Sequence, residues 1–156
     1  MSIKYLFILS LFNLLFGEAP SITSNGGGDA DSIDYAENST SAVTTVTSTD
    51  SDGSSTAEYS ISGGNDSGDF AIDTDSGVLT FASTPNYESP TDSDTDNVYI
   101  VIVQVSDGSN TDTQTLTVTV TDVNEFTPSI ASNGGGDADS IDYAENSTSA
   151  VTTVTS

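Results

Sequence analysis

The sequence contains no cysteine, no histidine and no tryptophan, and Lys4 is its only basic residue. Without cysteine, no disulfide can stabilise the chain. Without histidine or cysteine, it lacks the usual general bases, nucleophiles and soft metal ligands, which argues against enzymatic activity and against bound zinc or copper. Nucleic acid is excluded as a partner, because binding it requires Lys and Arg along the phosphates.

Nearly all charged residues of the chain are acidic. The chain has 24 Asp and Glu, and all of them lie at or after Glu18. Two explanations are open for such a charge: divalent cations held by oxygen ligands, or a salty habitat in which solvated acids keep the protein soluble. An excess of negative charge also argues against binding to an anionic membrane surface, and we expect no direct membrane insertion by the mature repeat.

Residues 1–17 read as a secretory signal peptide. Lys4 supplies the charged start, an apolar run extends from Tyr5 to Phe16, and Gly17 suits a cleavage site. The run is too short to span a bilayer comfortably, although an uncleaved anchor is the alternative. We therefore expect a secreted or cell-surface protein, with any membrane association supplied by a C-terminal part that follows this sequence.

An internal repeat is the strongest organising feature. Residues 20–48 recur at 128–156 with differences only at Thr23 and Ala131, so the period from Pro20 to Pro128 is 108 residues. This period fits one β-sandwich domain of about 100 residues and is too long for a short solenoid repeat. We expect one complete repeat over 20–127 and the truncated start of a second over 128–156.

Within the complete repeat, apolar and polar residues alternate with a period of two. Short alternating stretches centre on 33–36, 42–47, 59–61, 70–72 and 79–81, separated by Gly, Asp, Asn and Ser. The clearest alternation is that of Tyr99, Val101, Val103, Val105, Leu116, Val118 and Val120. Seven short strands in one period predict an all-β, antiparallel Greek-key sandwich of the immunoglobulin type, with those side chains in its core.

Several motifs, in their order and spacing, resemble those of a cadherin domain, especially the forms found in large bacterial surface proteins. They are Ala36-Glu37-Asn38, Asp50-Ser51-Asp52-Gly53, Phe70 to Leu79 with Asp73-Thr74-Asp75-Ser76-Gly77 inside it, Asn86-Tyr87-Glu88, Val105-Ser106-Asp107-Gly108 and Asp122-Val123-Asn124-Glu125. The resemblance covers about 20–128 and restarts at 128–156. It implies a cadherin-like sandwich in tandem repeats.

In cadherins, calcium lies between successive domains, so the resemblance implies Ca²⁺ sites shared by adjacent repeats of the same chain. The matched ligand positions are Glu37, Glu88, Asp122, Asn124 and Glu125 at the lower end of the domain, and Asp50, Asp52 and Asp107 at its upper end. Asn86, Glu125 and Phe126 depart from the family's pattern of linker and loop acids. The alternative reading of each acid is a solvated turn residue, because Asp and Asn favour turns.

A second calcium pattern is present but incomplete. Asp92, Asp94 and Asp96 mimic the first ligands of an EF-hand loop, but Val103 stands where the bidentate Glu belongs. The segment also runs directly into a predicted strand. The sequence therefore gives no EF-hand here.

These observations favour a calcium-binding repeat of a surface protein that mediates cell adhesion, including adhesion to like repeats on other cells. A passive acidic spacer is the first alternative. A carbohydrate-binding or ice-binding module is the second, because threonines alternate along 115–121. The calcium reading differs from the others in requiring specific carboxylate ligands.

The truncated second copy generates the first prediction. Residues 128–156 supply about two strands, and two strands alone are marginally stable in water. We expect the backbone amides after Pro128 to exchange rapidly in hydrogen–deuterium exchange, in contrast with slow exchange over 98–121. Strong protection after Pro128 in the monomer would contradict this.

Overall fold

The computed structural model describes residues 17–51, 56–132 and 140–155. All of the predicted signal peptide except Gly17 lies outside these residues, and so does the candidate ligand Asp52. The described residues belong to two compact units, which divide between Val123 and Asn124. The boundaries expected for the signal peptide and for the two repeats stay predictions.

The described residues of the first unit contain nine strands, in keeping with the predicted all-β class. They are β1 Ser21–Ile22, β2 Ala30–Ala36, β3 Thr44–Thr45, β4 Ser48–Thr49, β5 Glu58–Gly63, β6 Phe70–Ile72, β7 Val78–Phe81, β8 Val98–Ser106 and β9 Thr111–Thr121. Short 3-10 turns lie at Asn25–Gly27 and Ser67–Asp69.

Seven of these strands form two sheets. One has the order β2-β9-β8-β5 and the other the order β3-β7-β6, while β1 and β4 pair separately. Side chains from both sheets, among them Leu79 and Tyr99, belong to one buried cluster. The two sheets therefore form a sandwich around a single core, and the predicted fold class is confirmed.

The core is the alternating face that the sequence predicts. Val101 pairs with Leu116 and Tyr99 with Val118 across the β8–β9 hairpin. All seven predicted side chains are buried: Tyr99, Val101, Val103, Val105, Leu116, Val118 and Val120. Because the side-chain period of a strand is two, this register also turns Thr115, Thr117 and Thr119 to the other face of the sheet.

The expectation that all strands pair antiparallel is wrong for one pair. Strand β2 runs parallel to β9, with Ala30 opposite Thr115 and Ala36 opposite Thr121. Parallel neighbours need a long connection, and here nearly the whole repeat lies between the two strands. As a result, the first long strand of the repeat and its last strand end at the same edge, which brings Glu37 and Asp122 together.

The stretch 42–47, expected as one strand, is divided between two sheets. Val46 donates its N–H to the carbonyl of Gly77 at 2.8 Å, whereas the carbonyl of Thr47 accepts the N–H of Thr23 at 2.8 Å. The chain thus leaves β7 and joins β1 between these residues. Gly77 has a φ of 71°, and a Cβ there would lie 2.2 Å from the Val46 carbonyl oxygen, so this crossing requires glycine.

In the second unit, the described residues 124–132 and 140–155 contain no strand. The sequence of β2 recurs there, yet Tyr143 is 43% exposed whereas Tyr35 is 6% exposed. One local feature is shared by the two copies: the Tyr35 hydroxyl donates to the carbonyl of Ser39 at 3.2 Å, and the Tyr143 hydroxyl donates to that of Ser147 at 3.2 Å.

The buried hairpin face generates the second prediction. Leu116→Ala should lower the free energy of unfolding by about 2–5 kcal/mol, since it removes a fully buried side chain and leaves a cavity. Thr113→Ala on the exposed part of the same strand should change it by about 1 kcal/mol or less. Urea unfolding of both variants measures the difference, and equal losses would contradict the placement of the core.

Candidate calcium-binding site

Glu37 lies where β2 ends. Its own N–H donates to the carbonyl of Thr121 at 3.1 Å, which continues the β2–β9 ladder by one residue. Asn38 then turns the chain with a φ of 59°, a conformation that Asn tolerates better than most residues, and donates its N–H to the carbonyl of Pro85 at 3.0 Å. These contacts fix Glu37 between the end of β9 and the loop that begins at Pro85.

The Glu37 carboxylate joins three segments of the chain. It is 2% exposed. One oxygen, Oε2, accepts the N–H of Tyr87 at 2.8 Å, and the other, Oε1, accepts the N–H of Val123 at 2.8 Å. The bond from Val123, followed by that from Tyr87, lowers the pKa of Glu37 from its usual value of 4.5, against the opposing effect of burial. Glu37 is therefore ionised at neutral pH.

Two exposed acids complete a group around Glu37. One carboxylate oxygen from each of Glu37, Glu88 and Asp122 lies within 4.8 Å of the other two. Asp122 follows β9 directly, and Glu88 lies in a turn in which Asn86 Oδ1 accepts the N–H of Ser89 at 2.9 Å. Three carboxylates at this spacing repel one another, and the described part of the chain contains no Lys, Arg or His to offset them.

The structure thus brings together three of the five acids and amides expected at the lower end of the domain. The other two, Asn124 and Glu125, belong to the second unit. There, Asn124 Oδ1 accepts the N–H of Phe126 at 3.0 Å. Their assignment as ligands stays a prediction.

The acids expected at the upper end are placed differently. Asp107 holds the turn between β8 and β9, where its Oδ1 accepts the N–H groups of Ser109 and Asn110, both at 2.6 Å. These bonds, that from Asn110 first, lower its pKa. Asp50 is half-buried after β4, and Asp52 lies outside the described residues. Of the residues that are described, neither Asp50 nor Asp107 belongs to a group of three acids.

Sequence reasoning missed one buried acid, which lies near the start of β8. Asp66 is 4% exposed. Its Oδ1 accepts the N–H of Ser93 at 2.7 Å, and its Oδ2 accepts the N–H of Ile100 at 2.8 Å. Its sequence surroundings, Gly63 to Gly68, are those of any turn, so only the neighbouring Phe70 could have suggested that it is buried.

Known proteins show the same fold and domain. The cadherin domain family matches residues 31–121, which is more than half of the chain. No curated protein is significantly similar to the chain in sequence.

The solved structures that resemble it include three sets of extracellular cadherin domains. Drosophila N-cadherin EC1-4 matches at 23% identity over 75% of this chain and 28% of its own, with a TM-score of 0.58. Human protocadherin-24 EC1-2 matches at 22% identity over 68% of this chain and 46% of its own, with a TM-score of 0.51. Mouse clustered PcdhgC3 EC1-3 matches at 24% identity over 67% and 33%, with a TM-score of 0.53.

The chain spans less than half the length of each of these structures. At such identities, the structures establish the fold. Cadherin domains are extracellular adhesion modules and not enzymes, so the expectation that the chain is not an enzyme is confirmed. Among the described residues, no helix is long and apolar enough to cross a membrane.

The two N–H bonds to Glu37 generate the third prediction. In the presence of a calcium chelator at pH 7, Glu37→Gln should lower the melting temperature, because an amide offers one acceptor oxygen where two N–H groups need acceptors. Glu88→Gln removes an equal charge from an exposed position and serves as the control. It should leave the melting temperature unchanged or raise it.

The pKa of Glu37 gives this prediction a pH dependence. A carboxyl whose folded-state pKa is depressed stabilises the protein above its unfolded value, and this contribution disappears as the pH falls through the folded-state value. The difference in stability between the wild type and Glu37→Gln should therefore shrink as the pH is lowered below about 4.5. A difference that stays constant down to pH 2 would contradict the assignment.

Proposed function

Because this chain belongs to the cadherin domain family, we propose that it is a calcium-binding repeat of a secreted or cell-surface adhesion protein. The observation that supports this proposal is the group of Glu37, Glu88 and Asp122, whose carboxylate oxygens lie within 4.8 Å of one another. A bound cation would offset their mutual repulsion, and the described residues include no basic side chain that could do so.

The chemistry of these donors fits calcium. Ca²⁺ takes six to eight oxygen ligands with flexible geometry, and the group consists of carboxylates alone. Each Glu37 oxygen accepts one N–H bond and so has a lone pair left for a metal ion. Three acids supply at most part of the coordination sphere, so other oxygens must complete it.

The remaining ligands would come from the linker and from the next repeat. Asn124 and Glu125 follow Asp122 directly in the sequence. The equivalents of Asp50, Asp52 and Asp107 in the following repeat would supply further carboxylates, as the family resemblance implies. With calcium between them, adjacent repeats of the chain would be held in a stiff array. In this repeat, Asp107 holds its turn through Oδ1. Its Oδ2 accepts a 3.2 Å bond from Asn110 Nδ2 and could in addition bind a calcium ion.

Cell adhesion follows from the family and from the predicted export of the chain. Residues 1–17 would act as the signal peptide and place the repeats outside the cell. Like repeats on other cells are the proposed adhesion partners. The origin in a large bacterial surface protein, and a membrane anchor in a C-terminal part, are proposals of the same kind. A passive spacer or a carbohydrate- or ice-binding module would not require the Glu37 group.

Calcium titration tests the proposal and is the fourth prediction. Calcium at micromolar to millimolar concentration should raise the melting temperature of the chain, whereas KCl at matched ionic strength should not. A chain with two complete repeats should bind calcium more tightly in isothermal titration, since it supplies more carboxylates to each ion.

Two outcomes would count against it. If KCl and calcium have equal effects, the acids serve only as solvated charge, as in a passive spacer. If the affinity per site is the same in both chains, the ions do not lie between repeats. Glu88→Gln should reduce the gain in affinity of the two-repeat chain, and Asp75→Asn, in an exposed turn outside the group, should not.

A further inference from the structure

A second group of acids lies in the loop that leads into β8. One carboxylate oxygen from each of Asp92, Asp94 and Asp96 lies within 4.8 Å of the other two. Asp94 and Asp96 are exposed, but Asp92 is only 3% exposed. All three belong to a single loop of the first unit, so their spacing does not depend on another repeat.

The buried carboxylate of Asp92 is only half satisfied. Its Oδ2 accepts the N–H of Asp96 at 2.8 Å. Its Oδ1 is out of contact with solvent and has no hydrogen-bond partner among the described residues. A buried charged oxygen without a partner is strongly unfavourable. This oxygen therefore lacks the donor or cation that a buried carboxylate requires, and this observation is separate from the clustering of the three acids.

The described residues supply no basic side chain. Lys4 is the only basic residue in the sequence, there is no histidine, and residues 17–51, 56–132 and 140–155 contain no base at all. The mutual repulsion of the three carboxylates can therefore be relieved by a proton or by a cation from solution.

Neighbouring segments hold the acids together despite this repulsion. Buried Asp66 accepts the N–H of Ser93 at 2.7 Å, inside the loop, and the N–H of Ile100 at 2.8 Å, in β8. The Tyr99 hydroxyl accepts the N–H of Thr91 at 3.1 Å, one residue before Asp92. In an unrestrained loop the acids could move apart into solvent, but here hydrogen bonds hold the backbone on both sides of Asp92. The fixed backbone keeps the oxygens converged.

The end of the loop adds a neutral oxygen that is also unsatisfied. Asn97 has a φ of 66°, and its Nδ2 donates to the carbonyl of Tyr87 at 3.0 Å. Its Oδ1 is buried and has no hydrogen-bond partner among the described residues. Two buried oxygens in need of a partner, Asp92 Oδ1 and Asn97 Oδ1, thus occur within six residues of one loop.

We propose that Asp92, Asp94 and Asp96 form a calcium site contained within a single repeat, separate from the site at Glu37, Glu88 and Asp122. The donors are oxygen atoms only, which suits a hard cation, and their five-residue span suits the flexible geometry that Ca²⁺ accepts. The site is not an EF-hand, because Val103 is fully buried in β8 and supplies no carboxylate. Water and main-chain oxygens complete the coordination.

Thermal unfolding of the 156-residue chain separates this site from solvated acids. Asp94 is exposed, and among the described residues its side chain makes no hydrogen bond to a segment outside its own loop, so Asp94→Asn should leave the fold intact. In a chelator, Asp94→Asn should raise the melting temperature by a few degrees, because it removes a repelled charge. In millimolar calcium, the melting temperature of Asp94→Asn should lie below that of the wild type, because a charged ligand is lost. Asp75→Asn makes the same change of charge in the exposed turn between β6 and β7, and the order of its melting temperature and that of the wild type should not reverse when calcium is added.

The same measurement in a Glu88→Gln background distinguishes the two sites. Calcium should still raise the melting temperature of Glu88→Gln, and Asp94→Asn added to that background should remove most of the remaining rise. The proposal is overturned if the melting temperature of Asp94→Asn exceeds that of the wild type both with and without calcium. It is also overturned if Glu88→Gln alone abolishes the calcium effect, since the ions would then bind only at the Glu37 group.

Discussion

The described part of this protein must satisfy its buried carboxylates without any positively charged side chain. Three acids are buried there, Glu37, Asp66 and Asp92. Glu37 and Asp66 each accept two main-chain N–H groups from segments distant in sequence. Such charge-assisted bonds are stronger than neutral ones. Here they replace salt bridges as the polar links between loops, and they are made at the edge of the sheet where β9 ends.

This arrangement connects stability to the proposed metal binding. The bonds to Glu37 and Asp66 hold two parts of the connection between β7 and β8, and this connection carries Glu88 and the acids at Asp92, Asp94 and Asp96. Tyr87 links the two, because its N–H binds Glu37 and its carbonyl accepts from Asn97. The backbone bonds therefore keep carboxylates close together that would separate if they were free, and this closeness is the basis of the two proposed calcium sites.

The sequence predicts the fold better than it predicts the sites. Alternation in β8 and β9 identifies the core because one face of a paired strand is buried along its whole length. The parallel pairing of β2 could not be read, since the local pattern of a strand does not specify its partner. The family resemblance gave Glu37, Glu88 and Asp122 as a group. The role of Asp107 beside calcium stays a prediction, and the structure shows in addition that its carboxylate holds the β8–β9 turn. The sequence excludes an EF-hand at Asp92, because Val103 stands where the bidentate Glu belongs. The burial of Asp92 could not be read, because the loop around it is held by Asp66, a residue far away in sequence.

The two copies of the repeated segment distinguish structure that is determined locally from structure that depends on tertiary contacts. Residues 33–42 and 141–150 are identical in sequence, and in both the Tyr hydroxyl donates to main-chain carbonyls four and six residues later. Asn38 and Asn146 also share a positive φ, 59° and 62°. The sequence by itself therefore determines this turn, because its bonds close within a few residues. Only the tertiary structure decides that 30–36 is a strand, and that Val46 is buried while its equivalent Val154 is 67% exposed. The reason is that the first copy pairs with β9, whereas the described residues of the second unit contain no strand with which its copy could pair.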